Sequence, residues 1–270
     1  MQDGELAQRG LVMLGCGKMG SALLAGWLRG GLPPGAVHVI DPAPSDWVRA
    51  QGVHVNSALP GRPAVALVAV KPQMMGAALP TLQAMGGGST LILSVAAGTP
   101  IATFESVLGA ATPIIRTMPN TPAAIGQGIT ALVGNAAATP AQMAMADGLM
   151  AAVGQTVRLD NEGQIDAVTA VSGSGPAYVF LLIEALAAAA EAEGLPPAMA
   201  LDLARATVAG AGALAAQDAD PGQLRRNVTS PNGTTQAALE VLMDQATGFA
   251  PLIRAAVHRA RVRSQELSRG

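Results

Sequence analysis

The sequence predicts an α/β fold in which a doubly wound, parallel sheet is followed by an all-α domain. Short apolar runs alternate with helical stretches in the first half of the chain, strand signals stop near residue 160, and helical patterns fill the remainder. Apolar strands separated by helices are typical of a parallel sheet covered on both faces. We therefore predict one domain at residues 1–160 and a second at 161–270.

The individual elements follow from these patterns. The predicted strands are LVML at 11–14, VHVI at 37–40, VALVAV at 65–70, TLILSV at 90–95, PIIRT at 113–117, ITALVG at 129–134 and TVRL at 156–159. The predicted helices of the second half span 176–194, 197–217, 221–226, 234–245 and 248–268. Gly-Leu-Pro-Pro at 194–197 separates the first two, since glycine ends helices and proline starts them.

Composition excludes several classes of protein. The chain has 270 residues, a net charge of −2 and a single cysteine, Cys16, so we expect neither a nucleic-acid partner nor an internal disulfide. The polar N-terminus lacks the apolar core of a signal peptide, which predicts a cytoplasmic protein. The apolar stretch 176–190 is shorter than a membrane span and contains Glu184, so we expect a buried helix and no membrane.

A glycine pattern follows the first predicted strand. Residues 15–20 read GCGKMG, a G-x-G-x-x-G motif between a strand and a helix. In that context Gly15 permits a tight turn, Gly17 lets a pyrophosphate approach the backbone, and Gly20 lets helix and strand pack closely. The alternative is an ordinary strand-to-helix turn. The context favours a dinucleotide, and the predicted site includes the intervening Cys16, Lys18 and Met19.

The ends of the other strands extend this predicted site. Asp41 ends the second strand, where an acid commonly binds the ribose hydroxyls of NAD; the alternative is a turn residue before Pro42. The segments AVKPQ (69–73), SVAAG (94–98) and TMPNTP (117–122) lie at further carboxyl ends, where a flat cofactor could lie against small residues. Lys71 is a candidate for a catalytic amine or a phosphate partner; the alternatives are that it orients the cofactor or caps the strand end, because Pro72 fixes the loop beside it.

A hydroxyl-rich loop precedes one of the last helices. TSPNGTT at 229–235 offers hydroxyl and backbone N–H donors but no base, acid or metal ligand. Reduction of an imine by hydride needs no such groups, because the cofactor performs the chemistry and the protein positions a carboxylate-bearing substrate. The alternative is helix capping by Thr234 or Ser230. Capping accounts for one hydroxyl but not for the whole cluster.

These motifs together resemble one family. GCGKMG, AVKPQ, SVAAG, RTMPNTP, AVTAVSGSGPAYVF and VTSPNGTT are similar to segments of pyrroline-5-carboxylate reductase, over about residues 11–268. The resemblance implies reduction of 1-pyrroline-5-carboxylate to L-proline with NADPH or NADH, the last step of proline biosynthesis. It also implies a dinucleotide-binding domain followed by a helical dimerisation domain, with dimers often assembled into decamers.

The resemblance assigns roles to further residues of this chain. It places Asn56 at the adenosine ribose, and Asn227 in contact with the cofactor from the helical domain. It places a third group along the nicotinamide: Ala69, Val70, Lys71, Pro72, Ala96, Ala97 and Asn120. Ser230, Gly233, Thr234 and Thr235 would hold the substrate carboxylate and ring nitrogen, with Thr235 as the catalytic residue. The proton donor stays open between Thr235, water and an imine that is already protonated.

Two positions depart from the family pattern. Asn232 stands where relatives usually have glycine, and we expect the loop shape to survive because Asn tolerates a left-handed backbone. Pro-Ala-Pro follows Asp41 where relatives often hold a 2′-phosphate with serine or arginine, which leaves the choice between NADPH and NADH open.

Three further expectations concern assembly and alternative functions. The helix from Pro176 is so apolar that we expect a partner chain, hence a homodimer or larger homo-oligomer. A β-hydroxyacid dehydrogenase is the competing enzyme, but it needs a lysine in the second domain, and no lysine follows Lys71. A non-catalytic redox sensor would keep the glycine loop without needing TSPNGTT.

Overall fold

A computed structural model describes residues 4–217 and 220–269. Packing divides the chain into two compact units, Met1–Gly173 with Ala260–Gly270, and Ser174–Arg259. This division by contacts does not coincide with the predicted domain boundary between residues 160 and 161. The predicted boundary stays a prediction. The C-terminal segment groups with the first unit, which no local pattern in the sequence indicates.

The first unit is built on a sheet of eight strands with the order β3-β2-β1-β4-β5-β6-β7-β8. The strands are β1 Leu11–Leu14, β2 Val37–Ile40, β3 His54–Val55, β4 Val65–Val68, β5 Leu91–Ser94, β6 Ile114–Met118, β7 Gly128–Gly134 and β8 Gly154–Arg158. All seven predicted strands are present. The two-residue β3 was not predicted because it is too short to show a periodic pattern.

The sheet is largely parallel, as predicted, and departs from that arrangement at one strand. The strands from β3 to β6 are parallel, but β7 runs antiparallel to β6, with Ile115 opposite Gly134. Since a parallel crossover needs roughly a dozen residues or more, the short link between Met118 and Gly128 permits only a reversal of direction. Strand β8 then pairs parallel to β7.

Helices cover both faces of the sheet, as predicted. Those of the first unit are α1 Gly4–Arg9, α2 Lys18–Arg29, α3 Asp46–Arg49, α4 Met75–Ala78, α5 Ile101–Leu108, α6 Pro140–Ala151 and α7 Ile165–Val168. Alternate residues of β1 enter two separate cores: Leu11 and Met13 pack with Trp27 of α2, and Val12 and Leu14 pack with Phe104 of α5. This alternation positions the ends of the strands between the two helical layers.

The second unit is helical. Its helices are α8 Gly175–Ala192, α9 Pro197–Ala215, α10 Pro221–Asn227, α11 Thr234–Leu242 and the first part of α12 Phe249–Arg269. A π-helical turn at Thr169–Gly173 and a bend at Ser174 precede α8 in the chain. Helices α8 and α9 pack against each other.

Helix α8, for which the sequence predicts burial against a partner chain, is largely exposed within its own chain. Ala187 is its one buried residue, whereas Phe180 is 58% and Leu181 63% exposed. The helical run Glu162–Ala192 and helix α9 are both long and apolar enough to cross a membrane, by length and composition alone. A large apolar surface of this kind marks a contact with another protein or with lipid.

Candidate active site

The three glycines of GCGKMG have different surroundings. Gly15 has a φ of +87°, and a Cβ there would lie 2.8 Å from the carbonyl oxygen of Ala69, so a side chain is disfavoured twice. A Cβ on Gly20 would lie 3.0 Å from the oxygen of Gly15, which reflects close packing. A Cβ on Gly17 would meet nothing within 4 Å. The backbone is therefore bare at Gly17, where a phosphate group would need to approach.

This open space belongs to a cleft of about 650 Å³ in the first unit. The cleft is lined by Gly15, Cys16, Gly17, Lys18, Ser21, Asp41, Pro42, Ala43, Ser45, Ala69, Val70, Lys71 and Met74. Gly17 is the N-cap of α2 and supplies no capping side chain, so the first N–H groups of that helix are available to an anion. The bare backbone, helix start and cleft volume fit a dinucleotide.

Eight residues predicted to bind the cofactor line this cleft: Gly15, Cys16, Gly17, Lys18, Asp41, Ala69, Val70 and Lys71. The cleft lining does not include Met19, Gly20, Asn56, Pro72, Ala96, Ala97, Asn120 or Asn227. Their contacts with a cofactor stay predictions. Sequence reasoning missed Ser21, Pro42, Ala43, Ser45 and Met74, although each lies within five residues of a predicted one.

Asp41 accepts two backbone hydrogen bonds through its carboxylate. The N–H of Cys16 donates to Oδ2 at 2.7 Å, and the N–H of Ala43 donates to Oδ1 at 2.8 Å. The second bond is the turn contact that the alternative reading of Asp41 predicts. The first joins the end of β2 to the glycine loop, a role that the sequence does not reveal. Asp41 is therefore a loop residue and part of the cleft wall at once.

The side chain of Asn56 holds the main chain of Asp41 through two hydrogen bonds. The N–H of Asp41 donates to Asn56 Oδ1 at 3.0 Å, and Asn56 Nδ2 donates to the carbonyl oxygen of Asp41 at 2.8 Å. Asn56 adopts a left-handed backbone, with a φ of 48°. The side chain that was predicted to contact ribose thus holds the main chain of the residue beside the cleft, and the ribose contact stays a prediction.

Cys16 behaves as a packing residue. Its side chain is buried, and burial raises the pKa of the thiol above its ordinary value. The hydroxyl of Ser21 donates to the carbonyl oxygen of Cys16 at 3.0 Å, which fixes the turn from inside the helix. A buried thiol with a raised pKa is a poor nucleophile.

The segments predicted to lie along the nicotinamide are held by structural hydrogen bonds. Asn120 Oδ1 accepts from the N–H of Ile129 at 2.9 Å, and its Nδ2 donates to the carbonyl oxygen of Ser172 at 3.2 Å. The amide of Asn120 therefore fixes the β6–β7 connection and the π-helical turn. Ala96 is buried whereas Ala97 is exposed, so Ala97 is the more accessible of the pair.

The hydroxyl-rich loop of the second unit is shaped by two residues. Asn232 has a φ of 56°, so the expected left-handed turn at this position is confirmed. Gly233 is the N-cap of α11, and a Cβ there would lie 2.5 Å from Ser230 Oγ, so a side chain at this position would displace the Ser230 hydroxyl. Because Gly233 has no side chain, the start of the helix has no side-chain cap. The capping role considered for Thr234 or Ser230 is therefore wrong.

Three of the four hydroxyls of this loop remain available. Within residues 4–217 and 220–269, no hydrogen bond involves the side-chain oxygens of Ser230, Thr234 or Thr235, whereas Thr229 donates to the carbonyl oxygen of Arg225 at 2.6 Å. Ser230 and Thr234 are exposed and Thr235 is half-buried. Asn227 ends α10 and accepts from Gln223 at 2.7 Å. The loop thus presents free donors beside the positive end of a helix.

Metal chemistry has no evident ligand set in the described ranges. Among residues 4–217 and 220–269, no cluster of three or more His, Cys, Asp or Glu side chains could hold a metal ion. A largely parallel sheet with a glycine-loop cleft, followed in the chain by a helical unit with a donor-rich loop, is typical of nicotinamide-dependent reductases and dehydrogenases.

Comparison with known proteins narrows this class to one family. A model of the pyrroline-5-carboxylate reductase dimerisation domain matches residues 162–267. A curated pyrroline-5-carboxylate reductase from Pseudomonas aeruginosa is 41% identical over 265 residues, with 96% of each chain covered. The chain belongs to the pyrroline-5-carboxylate reductase family.

Solved structures agree with this assignment. A pyrroline-5-carboxylate reductase from Coxiella burnetii superposes with a TM-score of 0.89 at 34% identity, covering 96% of this chain and 98% of the other. The Plasmodium falciparum pyrroline carboxylate reductase with NADP bound gives a TM-score of 0.84 at 26% identity, covering 97% and 99%. The match to a dimerisation domain supports homo-oligomerisation, and the exposed helix α8 lies within the matched residues.

Proposed function

We propose that this protein reduces the imine of 1-pyrroline-5-carboxylate to L-proline with NAD(P)H, the last step of proline biosynthesis. The observation that carries the proposal is membership of the reductase family over nearly the whole chain. The competing dehydrogenase would need a lysine acid/base in the helical unit. Lys18 and Lys71, the two lysines of the chain, both line the cleft of the first unit.

The first unit holds the cofactor in this proposal. NAD(P)H supplies the hydride when it is bound. The bare backbone at Gly17 and the uncapped start of α2 hold the pyrophosphate, and Lys18 and Lys71 add positive charge along the cleft. Ala69 and Val70 offer an apolar wall for the ring. Asn120 and the buried Ala96 keep the neighbouring strand ends in place.

The loop at residues 229–235 holds the substrate. The backbone N–H groups at the uncapped start of α11 and the hydroxyls of Ser230 and Thr234 bind the carboxylate, because they are donors beside a partial positive charge. The Thr235 hydroxyl hydrogen-bonds the ring nitrogen. These residues would bind and orient the imine for the hydride that NAD(P)H supplies, so no deprotonated nucleophile is required.

Assembly and location complete the proposal. A second copy covers the apolar surface of α8, and dimers assemble further, up to a decamer. The same surface then needs no lipid, so the protein is cytoplasmic and not bound to a membrane. A net charge of −2 gives the chain no overall positive charge to attract nucleic acid.

Substitution of Thr235 tests the proposal. We expect Thr235→Ala to lower kcat with 1-pyrroline-5-carboxylate by roughly 10- to 1000-fold, the usual cost of one positioned hydrogen bond in a transition state. Thr235→Ser keeps the hydroxyl and should retain much of the activity. The affinity for NADH and NADPH, measured by fluorescence titration, should not change. Since Gly233 is the N-cap, Tm should also change little.

Two outcomes would contradict this assignment. Normal turnover of Thr235→Ala would remove Thr235 from the catalytic role, whatever the change in Tm. Failure of the unmodified protein to oxidise NADH or NADPH when 1-pyrroline-5-carboxylate is added would favour the non-catalytic sensor instead. Thr234→Ala is the matched control, since it removes an exposed hydroxyl next to Thr235 and should affect KM more than kcat.

A further inference from the structure

One end of the cofactor cleft is acidic and has no positive charge in its wall. At the end of β2 the wall consists of Asp41, Pro42, Ala43 and Ser45. The lysines of the cleft belong to other segments, Lys18 to the glycine loop and Lys71 to the loop after β4. In a dinucleotide-binding sheet the end of the second strand is where the adenosine ribose lies, next to the pyrophosphate on the glycine loop.

The carboxylate at this end is fixed in place. Its two oxygens accept the N–H groups of Cys16 and Ala43 at 2.7 and 2.8 Å. The side-chain amide of Asn56 bonds the main chain of Asp41 twice, accepting from its N–H at 3.0 Å and donating to its carbonyl oxygen at 2.8 Å. Rotating the carboxylate away would break both of the first bonds. Each oxygen nevertheless keeps a free lone pair, because a carboxylate accepts about four hydrogen bonds and has used two.

We propose that Asp41 makes this protein selective for NADH over NADPH; the inference rests on the proposed reductase function. The ribose hydroxyls of NADH can donate to the free lone pairs of the carboxylate. A 2′-phosphate has no such donor when ionised, and its charge is repelled by a carboxylate that is held in position. Pro42, Ala43 and Ser45 offer no cation to offset this repulsion.

Equilibrium binding without substrate tests the proposal directly. NADH and NADPH are titrated separately into the unmodified protein, with nucleotide fluorescence as the readout. We expect NADH to bind on the order of 10- to 100-fold more tightly, from the repulsion of two nearby charges at an intermediate effective dielectric. The preference should diminish at high salt, since screening weakens the repulsion but not the hydrogen bonds.

Two variants assign the effect to Asp41. Asp41→Ser removes the charge and should reduce or reverse the preference, because NADH should bind less tightly and NADPH more tightly than to the unmodified protein. Ala43→Arg leaves Asp41 and its hydrogen bonds in place but adds a cation to an exposed position of the wall, and should strengthen NADPH alone. Asp46→Asn is the matched control: it changes the charge of the same loop at a residue outside the cleft wall, and should leave the ratio unaltered.

The outcomes separate this inference from the proposed function. Equal or tighter binding of NADPH to the unmodified protein overturns the selectivity while leaving the reductase function intact. An unchanged ratio in Asp41→Ser overturns the role of Asp41. If that variant does not fold, an unchanged NADPH affinity in Ala43→Arg overturns the claim that the missing cation beside Asp41 disfavours the 2′-phosphate. If neither nucleotide binds the unmodified protein, the proposed function itself fails.

Discussion

Replacing Gly17 with valine separates binding from folding at the glycine loop. A Cβ at this position would meet no protein atom within 4 Å, so the side chain would project into the cleft without displacing the fold. Gly17 is the N-cap of α2, and valine is a poorer cap, which costs about 1 kcal/mol. For a protein of this size we therefore expect Tm to fall by only about 2–4 °C.

The expected loss of cofactor affinity is much larger. A valine side chain would occupy the space that the pyrophosphate needs and would separate it from the backbone N–H groups. Hydrogen bonds to a charged group are worth about 1.5–3 kcal/mol each. Losing two of them predicts a decrease in NADH affinity of at least roughly 100-fold, because each 1.4 kcal/mol is a factor of ten. Fluorescence titration and thermal unfolding measure the two effects independently.

Gly15→Ala provides the contrasting variant. Gly15 has a φ of +87°, and its Cβ would lie 2.8 Å from the oxygen of Ala69. Left-handed backbone alone costs a non-glycine residue about 1–2 kcal/mol, so Gly15→Ala should lower Tm more than Gly17→Val does. Unchanged NADH affinity in Gly17→Val would show that GCGKMG is only a turn. Loss of the fold in the same variant would refute the open space at Gly17.

The remaining predictions concern pH and assembly. His38 stacks on His54 at 4.5 Å, and burial, followed by the charge of His54, lowers the pKa of His38. The unfolded chain then binds the extra proton more readily, so stability should fall as pH drops below about 6.5. The decrease in Tm between pH 7.5 and 5.5 should be smaller in His38→Phe, and equal decreases would contradict this role. Sedimentation should show that the unmodified protein is at least a dimer. Phe180→Glu should dissociate this dimer, whereas Phe180→Leu should not. An active monomer of 26.9 kDa for the unmodified protein would refute the role of α8.

Local patterns in the sequence were sufficient for much of the fold. Seven strands, the glycine loop and the helical second half were each predicted from residues adjacent in the chain, because apolar runs, periodicity and glycine spacing depend on local backbone geometry. The left-handed turn at Asn232 was predicted for the same reason: a single residue type determines whether that backbone conformation is accessible.

Long-range contacts decided the rest. The direction of β7 depends on its pairing with β6, and the support of Asp41 depends on Asn56 and Cys16, which lie 15 and 25 positions away. Asn120 likewise bonds Ser172 across 52 positions. A side chain in the sequence shows its donors and acceptors but not which partner it will meet. The sequence therefore predicts that Asp41 and Asn56 lie near the cleft, whereas only the tertiary structure determines that Asn56 holds the main chain of Asp41 and that Asp41 lines the cleft.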